Sequence, residues 1–243
     1  MEPKDDLAIP EKIPKRRVIV YKTSIDPTVI KLAVEKIKNE LFVKMGFLKP
    51  KPENIQYVSI DKYYEPFIFL DGKYSVDYFR KFSFNLQVDD DTEEIVILGK
   101  KFKPKIVEDP EKGTYGIITL EAEKHFSHEK KENLILDKDG REVPLESMPF
   151  APSEENSKKI FEEYKDNIED LQIPPDKDIE ILRSKIVQRP EKMGRMGKEL
   201  FKVSERVMIY TPIYKITFQN TKTGEKKIVK MDGVTAKIQM EES

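Results

Sequence analysis

"YYEPFIFLDGKYSVDYFRKFSF", residues 63–84, places nine aromatic rings in twenty-two residues, and the direction in which those rings face decides the fold. From Tyr74 the even positions read Tyr74, Val76, Tyr78, Arg80, Phe82, Phe84, Leu86 and Val88. The odd positions read Ser75, Asp77, Phe79, Lys81, Ser83, Asn85, Gln87 and Asp89. A strand turns successive side chains to opposite faces, so this alternation predicts a sheet with one buried and one wet face rather than an aromatic platform for a ligand. Arg80 is the one charge on the apolar row. It is a candidate structural or interaction residue, expected to meet a carboxylate or to leave the core at a bend near Lys81. Upstream, 55–61 and 64–70 read as strands, and Asp71-Gly72 as a hairpin turn.

Working outward, "RVIVY" reads as a strand at 17–21 after a proline-spaced, charged arm over residues 1–16. A helix then starts with Asp26 as cap and Pro27 in the first turn, carries Ile30, Ala33, Val34, Ile37 and Leu41 on one stripe, and stops before Gly46. Past the aromatic strand, strands are expected at 94–98 and 114–123, and "NLILDKDGREV" as a hairpin about Asp139-Gly140. Residues 146–153 read as a proline-bounded linker. A helix from Ser153 follows, with Ile160, Phe161, Tyr164 and Ile168 on one side, then a short helix near Asp176 carrying Ile179, Leu182 and Ile186. Strands at 201–210, 213–219, 226–231 and 234–239 close the chain.

Composition excludes more than it selects. The 243 residues contain no cysteine and two histidines, so thiol nucleophiles, disulfides and thiolate metal sites are excluded, and imidazole chemistry has little material. The net charge is −1 although 37% of residues are charged, and lysine and glutamate dominate, as in heat-adapted proteins with surface ion-pair networks. No run has the apolar length of a membrane span, and "MEPKDDLAIPEKIPKRR" lacks the core of a signal peptide; a cytoplasmic protein is expected.

Several short motifs carry chemical meaning. "MGRMG" at 193–197 spells G-x-x-G, the loop with which KH domains clamp a nucleic-acid backbone. Eight basic residues between Arg183 and Arg206 face three glutamates. Candidate nucleic-acid contacts are Arg189, Lys192, Gly194, Arg195, Gly197 and Lys198, against the plainer reading of a linker with a solvated face. "HFSHE" at 125–129 matches no zinc spelling and sits after a strand, where side chains three apart diverge. "VDDDTEE" at 88–94 lacks the spacing of a calcium loop, and "DKDG" at 137–140 reads as a hairpin turn. With no phosphate loop, dinucleotide fingerprint or nucleophile elbow, no catalytic residue, metal ligand or cofactor is assigned. Paired-carboxylate catalysis leaves no sequence signature.

Two features bear on organisation. A helix, "KPE", "VS" and "YEPFIFL" in the first half are echoed by a helix, "RPE", "VS" and "YTPIYKI" in the second, as two pseudo-repeated halves would be. The segments "YKTSIDP", "YYEPFIFLDGKYSVDYFRKF", "SKIVQRPEKM", "FKVSERVMIYTPIYKITFQNTKTGEKK" and "MDGVT" together resemble an uncharacterised family of archaeal proteins, a resemblance covering nearly the whole chain. It implies an archaeal cytoplasm and carries no site residues. The terminal "YTPIYKITFQN…KIVKMDGVTAKI" is similar to the end of PepSY-like modules, in which a Y-x-P-x-Y strand precedes a D-G-x-T-G turn; Ala236 stands where that pattern has its last glycine.

The expected fold is α+β, with antiparallel sheets each carrying a helix on one face. The expected organisation is a flexible arm at 1–16, an N-terminal domain at 17–148 and a C-terminal domain at 153–243. The leading function is a non-enzymatic binding or scaffold subunit of a cytoplasmic assembly with protein partners and no membrane. The alternatives are an RNA- or ribosome-associated protein using 183–206, and an enzyme of carboxylate type.

Overall fold

The aromatic stretch lies inside one continuous strand of 34 residues, β3 (Ile55–Val88), with no turn at Asp71-Gly72. This corrects the expected hairpin. Gly72 does not adopt a left-handed backbone; a Cβ there would lie 2.6 Å from Leu182 Cδ2 and 3.4 Å from Ile186 Cδ1. The glycine lets a helix approach the strand closely instead of turning the chain. The computed structural model describes residues 8–42, 51–148 and 150–240.

Before β3 come β1 (Glu11–Lys12), β2 (Arg17–Val20) and α1 (Pro27–Leu41). After it come β4 (Ile95–Ile97), β5 (Lys100–Phe102), β6 (Lys105–Asp109), β7 (Gly113–Leu136) and β8 (Glu142–Val143). Next are α2 (Ser157–Glu163), α3 (Lys177–Ile186), β9 (Arg195–Asn220), β10 (Lys226–Asp232) and β11 (Ile238–Met240). The fold is α+β. Its principal sheet has the order β11-β10-β9-β3-β7-β6, with β1 and β2 added to β9 and β8 to β7. β2 runs parallel to β9, whereas β10 pairs with β9, β11 with β10, and β6 and β8 with β7 in antiparallel sense. The strands expected at 201–210 and 213–219 are one strand, β9, running through Pro212. Likewise the strand expected at 114–123 continues in β7 as far as the Asp139-Gly140 hairpin.

Alternation holds where the face is covered. Ile68, Leu70, Tyr74, Val76 and Tyr78 are buried, but past Arg80 the pattern continues in sequence without cover: Phe84 is 45% exposed. Phe84 is therefore not core, and β3 runs through Arg80 and Lys81 without interruption.

Asp26 caps α1 as expected, its Oδ1 accepting from Thr28 N at 2.8 Å, and Ile30 and Val34 pack on Tyr214, Ile216, Phe218, Val229 and Met231. Gly46 lies outside the described residues. α2 begins later than expected, capped by Asn156 at 3.2 Å from Lys159 N, because Ser153 instead bridges to Tyr21 and Glu154 N donates to Val20 O at 2.7 Å. The segment read as a linker is thus hydrogen-bonded beside β2. On α3, Ile179, Leu182 and Ile186 are buried. The described part of the arm is bound too: Phe201 N donates to Pro10 O at 3.0 Å, and Arg16 reaches Asp178 at 3.2 Å.

The chain divides into two compact units that do not follow the sequence halves at 17–148 and 153–243. Among the described residues, one comprises 8–11, Tyr74–Lys130 and Val187–Phe201; the other comprises 12–42, 51–73, 131–148, 150–186 and 202–240. Strands β3, β7 and β9 each pass from one to the other, so sequence position alone does not delimit them. Among the described residues, no helix is long and apolar enough to cross a membrane.

Candidate functional site

The basic segment runs from the end of α3 through an irregular stretch at 187–194, with Arg189, Lys192 and Gly194, into β9. Arg195 opens β9, and both glycines lie against β3: a Cβ on Gly194 would be 2.6 Å from the Phe79 carbonyl oxygen, and one on Gly197 3.0 Å from that of Asp77. The glycines admit a neighbouring backbone. Two of the cations, Arg189 and Arg195, are engaged as well. Arg189 grips Glu199 with Nε at 2.8 Å and Nη2 at 2.9 Å. Arg195 stacks 3.9 Å from the Phe79 ring and donates to Glu123 at 2.8 Å. The Lys192 carbonyl accepts from Arg80 Nε, and Lys198 is exposed. The G-x-x-G spelling therefore does not stand in the loop setting that a KH clamp requires.

Among the described residues, Arg80 meets no carboxylate. Its guanidinium lies over Phe126 at 4.8 Å and Tyr78 at 5.2 Å, and donates to Tyr78 OH at 3.2 Å. Two ring faces and a carbonyl do what an acid was expected to do, since a guanidinium stacks readily on aromatic faces. His125 stacks on Phe79, 4.8 Å between centroids, whereas His128 approaches Tyr74; their neighbours lie on opposite faces of β3, so the histidines diverge. Nearby, buried Tyr74 donates to Glu199 at 2.6 Å. Burial pushes the Glu199 carboxyl up, but hydrogen bonds from Arg189 and Tyr74 outweigh it and hold the group below its ordinary value.

In the unit carrying the helices, odd-numbered residues of β3 turn to the face opposite Gly72, and two recesses form there. The first is a groove of about 370 Å³. Tyr21, Val207 and Ile209 form its buried floor, with Ile19, Phe69 and Met148 packed beside them. Leu145 is 49% exposed at the rim, and Phe150 is fully exposed beside it. Arg17 and Glu205, 3.9 Å apart, close one end. Phe69 and Glu205 also border a polar recess with Asp71, Lys131, Glu132 and Asn133.

The second recess is a cleft of about 360 Å³ lined by Asp61 and Tyr63 of β3, Lys138, the 166–169 segment, Lys215 of β9 and Lys230 of β10. Lys138 binds Glu169 at 2.5 Å and lies 4.0 Å from Glu65. Desolvation pushes the Glu65 carboxyl up; Glu169 adds to this, while Lys230 and Lys138 oppose it. None of these residues was singled out from sequence. One signal was present: Lys215 and Lys230 lie symmetrically about the "NTKTGE" turn, so assuming the hairpin register would have paired them.

No family model matches the chain, and comparison with curated proteins and with solved structures finds no match.

Proposed function

We propose that the protein is a non-enzymatic binding subunit of a cytoplasmic assembly, and that the apolar groove receives an apolar segment of a partner protein. The observation that carries this reading is Phe150, fully exposed beside a floor of Tyr21, Val207 and Ile209. Burying a side chain of that kind contributes about 1.5–3 kcal/mol, so leaving it in water is a cost that a partner would relieve. The Arg17–Glu205 pair and the polar recess beyond Phe69 supply the charged rim that protein interfaces place around an apolar centre.

The RNA reading has less support, because Arg189 and Arg195 are already paired with glutamates. A carboxylate-type enzyme would centre on Glu65 and Glu169, and both lie against Lys138.

The test is recovery of partners from host extract with the wild-type chain and with Leu145→Ser/Phe150→Ser, two positions whose exposure leaves folding intact. Loss of a specific partner in the variant, at unchanged melting temperature, is expected. Equal recovery from both would refute the groove. Recovered RNA whose retention falls steeply with salt would favour the alternative.

A further inference from the structure

In the unit that comprises Tyr74–Lys130 and Val187–Phe201, the even-numbered side chains of β3 and β7 share one face: Tyr78 stacks on Phe126, Tyr74 meets His128, and Lys124 lies over Phe82. On that face neither strand carries an acid, from Tyr74 to Leu86 or from Ile118 to His128. Asp77, Glu121 and Glu123 occupy odd positions and turn the other way. The two strands thus sort charge by face. Beyond Arg80 the face is open: Phe84 is 45% exposed and Leu86 36%, and the Phe82 and Phe84 rings stack 5.9 Å apart with 23° between their planes. Lys124 is exposed, its ammonium 4.4 Å from the Phe82 centroid. Arg80 donates to neutral groups, the Lys192 carbonyl and the Tyr78 hydroxyl. Among the described residues, neither Arg80 nor Lys124 has a carboxylate within 4.0 Å. Glu199, on the same face, is matched by Arg189 and Tyr74; Glu108 sits opposite Thr114 on β6, the end strand of the sheet. In the adjoining 187–194 stretch, Glu191 and Lys192 offset each other in charge.

We propose that this face binds single-stranded nucleic acid, with unpaired bases stacked on Phe84 and Phe82 and phosphates at Lys124 and Arg80. Sheet faces that present rings beside cations hold unpaired bases in this way, the rings stacking on the bases while the cations meet the backbone. Two copies of the face would set Arg80 and Lys124 against their own equivalents, so like charges oppose self-association. An acidic peptide would meet the cations but leave the stacked rings uncovered. The site is separate from the G-x-x-G motif, whose Arg195 lies on the opposite face with Phe79 and Glu123. It is independent of the apolar groove.

The experiment measures fluorescence anisotropy of labelled oligothymidylate and oligouridylate, each about 15 nucleotides long, with the whole chain, Phe84→Ala, Lys124→Gln and Lys81→Gln. Saturable binding that weakens with salt is expected for at least one polymer, and the tighter of the two names the sugar that is preferred. Phe84→Ala should weaken it about tenfold at little change in melting temperature, because that ring is half exposed. Lys124→Gln should make the salt slope shallower by about 0.7, the share of one phosphate contact. Lys81→Gln, exposed on the opposite face, should leave affinity unchanged. RNA held on this face in host extract should be lost on Phe84→Ala and kept by Leu145→Ser/Phe150→Ser, which separates the site from the groove. Absence of binding at low salt would overturn the proposal. So would equal losses from Lys81→Gln and Lys124→Gln, which mark general charge attraction, or displacement by polyglutamate as effective as by unlabelled oligonucleotide, which would assign the face to an acidic peptide.

Discussion

Ala236 adopts φ 59° in the turn after β10. Asp232 fixes that turn, its Oδ1 accepting from Val234 N at 2.7 Å and Thr235 N at 2.8 Å. A residue with a Cβ is strained by about 1–2 kcal/mol in this conformation, while the Ala236 methyl packs only partly against the α1 core. Ala236→Gly is therefore expected to stabilise the protein by about 0.5–1 kcal/mol in urea unfolding; a loss would mean that the methyl contact outweighs the strain. Gly194 is the opposite case. Its neighbour is a backbone oxygen, which cannot swing aside, so Gly194→Ala should cost about 1–3 kcal/mol whether or not nucleic acid is present. The sequence made both glycine-type positions visible and left the role of Gly194 open, because "MGRMG" spells the same letters for a backbone passing a phosphate and for a backbone passing another strand. The aromatic row was legible to the same degree. Tyr74→Ala should cost about 3–5 kcal/mol and Phe84→Ala under about 1, since the periodicity is common to both and only Tyr74 is covered. Comparable losses would contradict that assignment.

At the scale of elements, α3 is tied to β9 and to the arm through one carboxylate. Asp178 is completely buried and receives Arg206 Nε at 2.8 Å and Nη2 at 2.7 Å, with Arg16 at 3.2 Å. Burial pushes its carboxyl up, but the Arg206 hydrogen bonds and the charges of both arginines prevail, and the group titrates below its ordinary value. A depressed carboxyl contributes stability that is present above its unfolded value, near pH 4, and lost as pH falls through the lower folded value. Asp178→Asn should therefore cost up to about 3 kcal/mol at neutral pH, by leaving buried Arg206 with only the exposed carboxylate of Asp176, 2.7 Å away, as its charged partner, and should flatten the fall in stability on acidification below about pH 4. An unchanged acid limb would assign that fall to other carboxylates. Helix α3 was legible because Ile179, Leu182 and Ile186 follow its period. The clamp was not, because Arg16, Asp178 and Arg206 are far apart in sequence and unremarkable in so charged a chain. Strand lengths were misread for a related reason: Asp71-Gly72 and Pro212 punctuate ordinary strands, whereas here close helix packing accounts for the glycine, and β9 continues through the proline.

At the scale of the whole molecule, three strands of 34, 24 and 26 residues pass between two compact units, well beyond the usual three to ten residues of a strand. Each unit must supply its own cover, and the supply is uneven. The unit holding α1 and α3 contains the packed clusters around Ile216 and Val207. In the other, β3 ends in exposed residues from Ser83 to Gln87, and β4–β5 pair only with each other, joined by Leu98 and Gly99 in left-handed conformations. Backbone hydrogen bonds near solvent open locally, whereas those beneath packed side chains open only with the larger unit. Native-state hydrogen exchange should thus show the amides of Ile68–Val76 and Ile213–Phe218 exchanging only by large-scale unfolding. Those of Ser83–Gln87 and of β4–β5 should exchange by local fluctuations that depend little on denaturant. Uniform protection along β3 would show that the strand is stabilised as one element, and would remove the unevenness of cover as the reason for its behaviour.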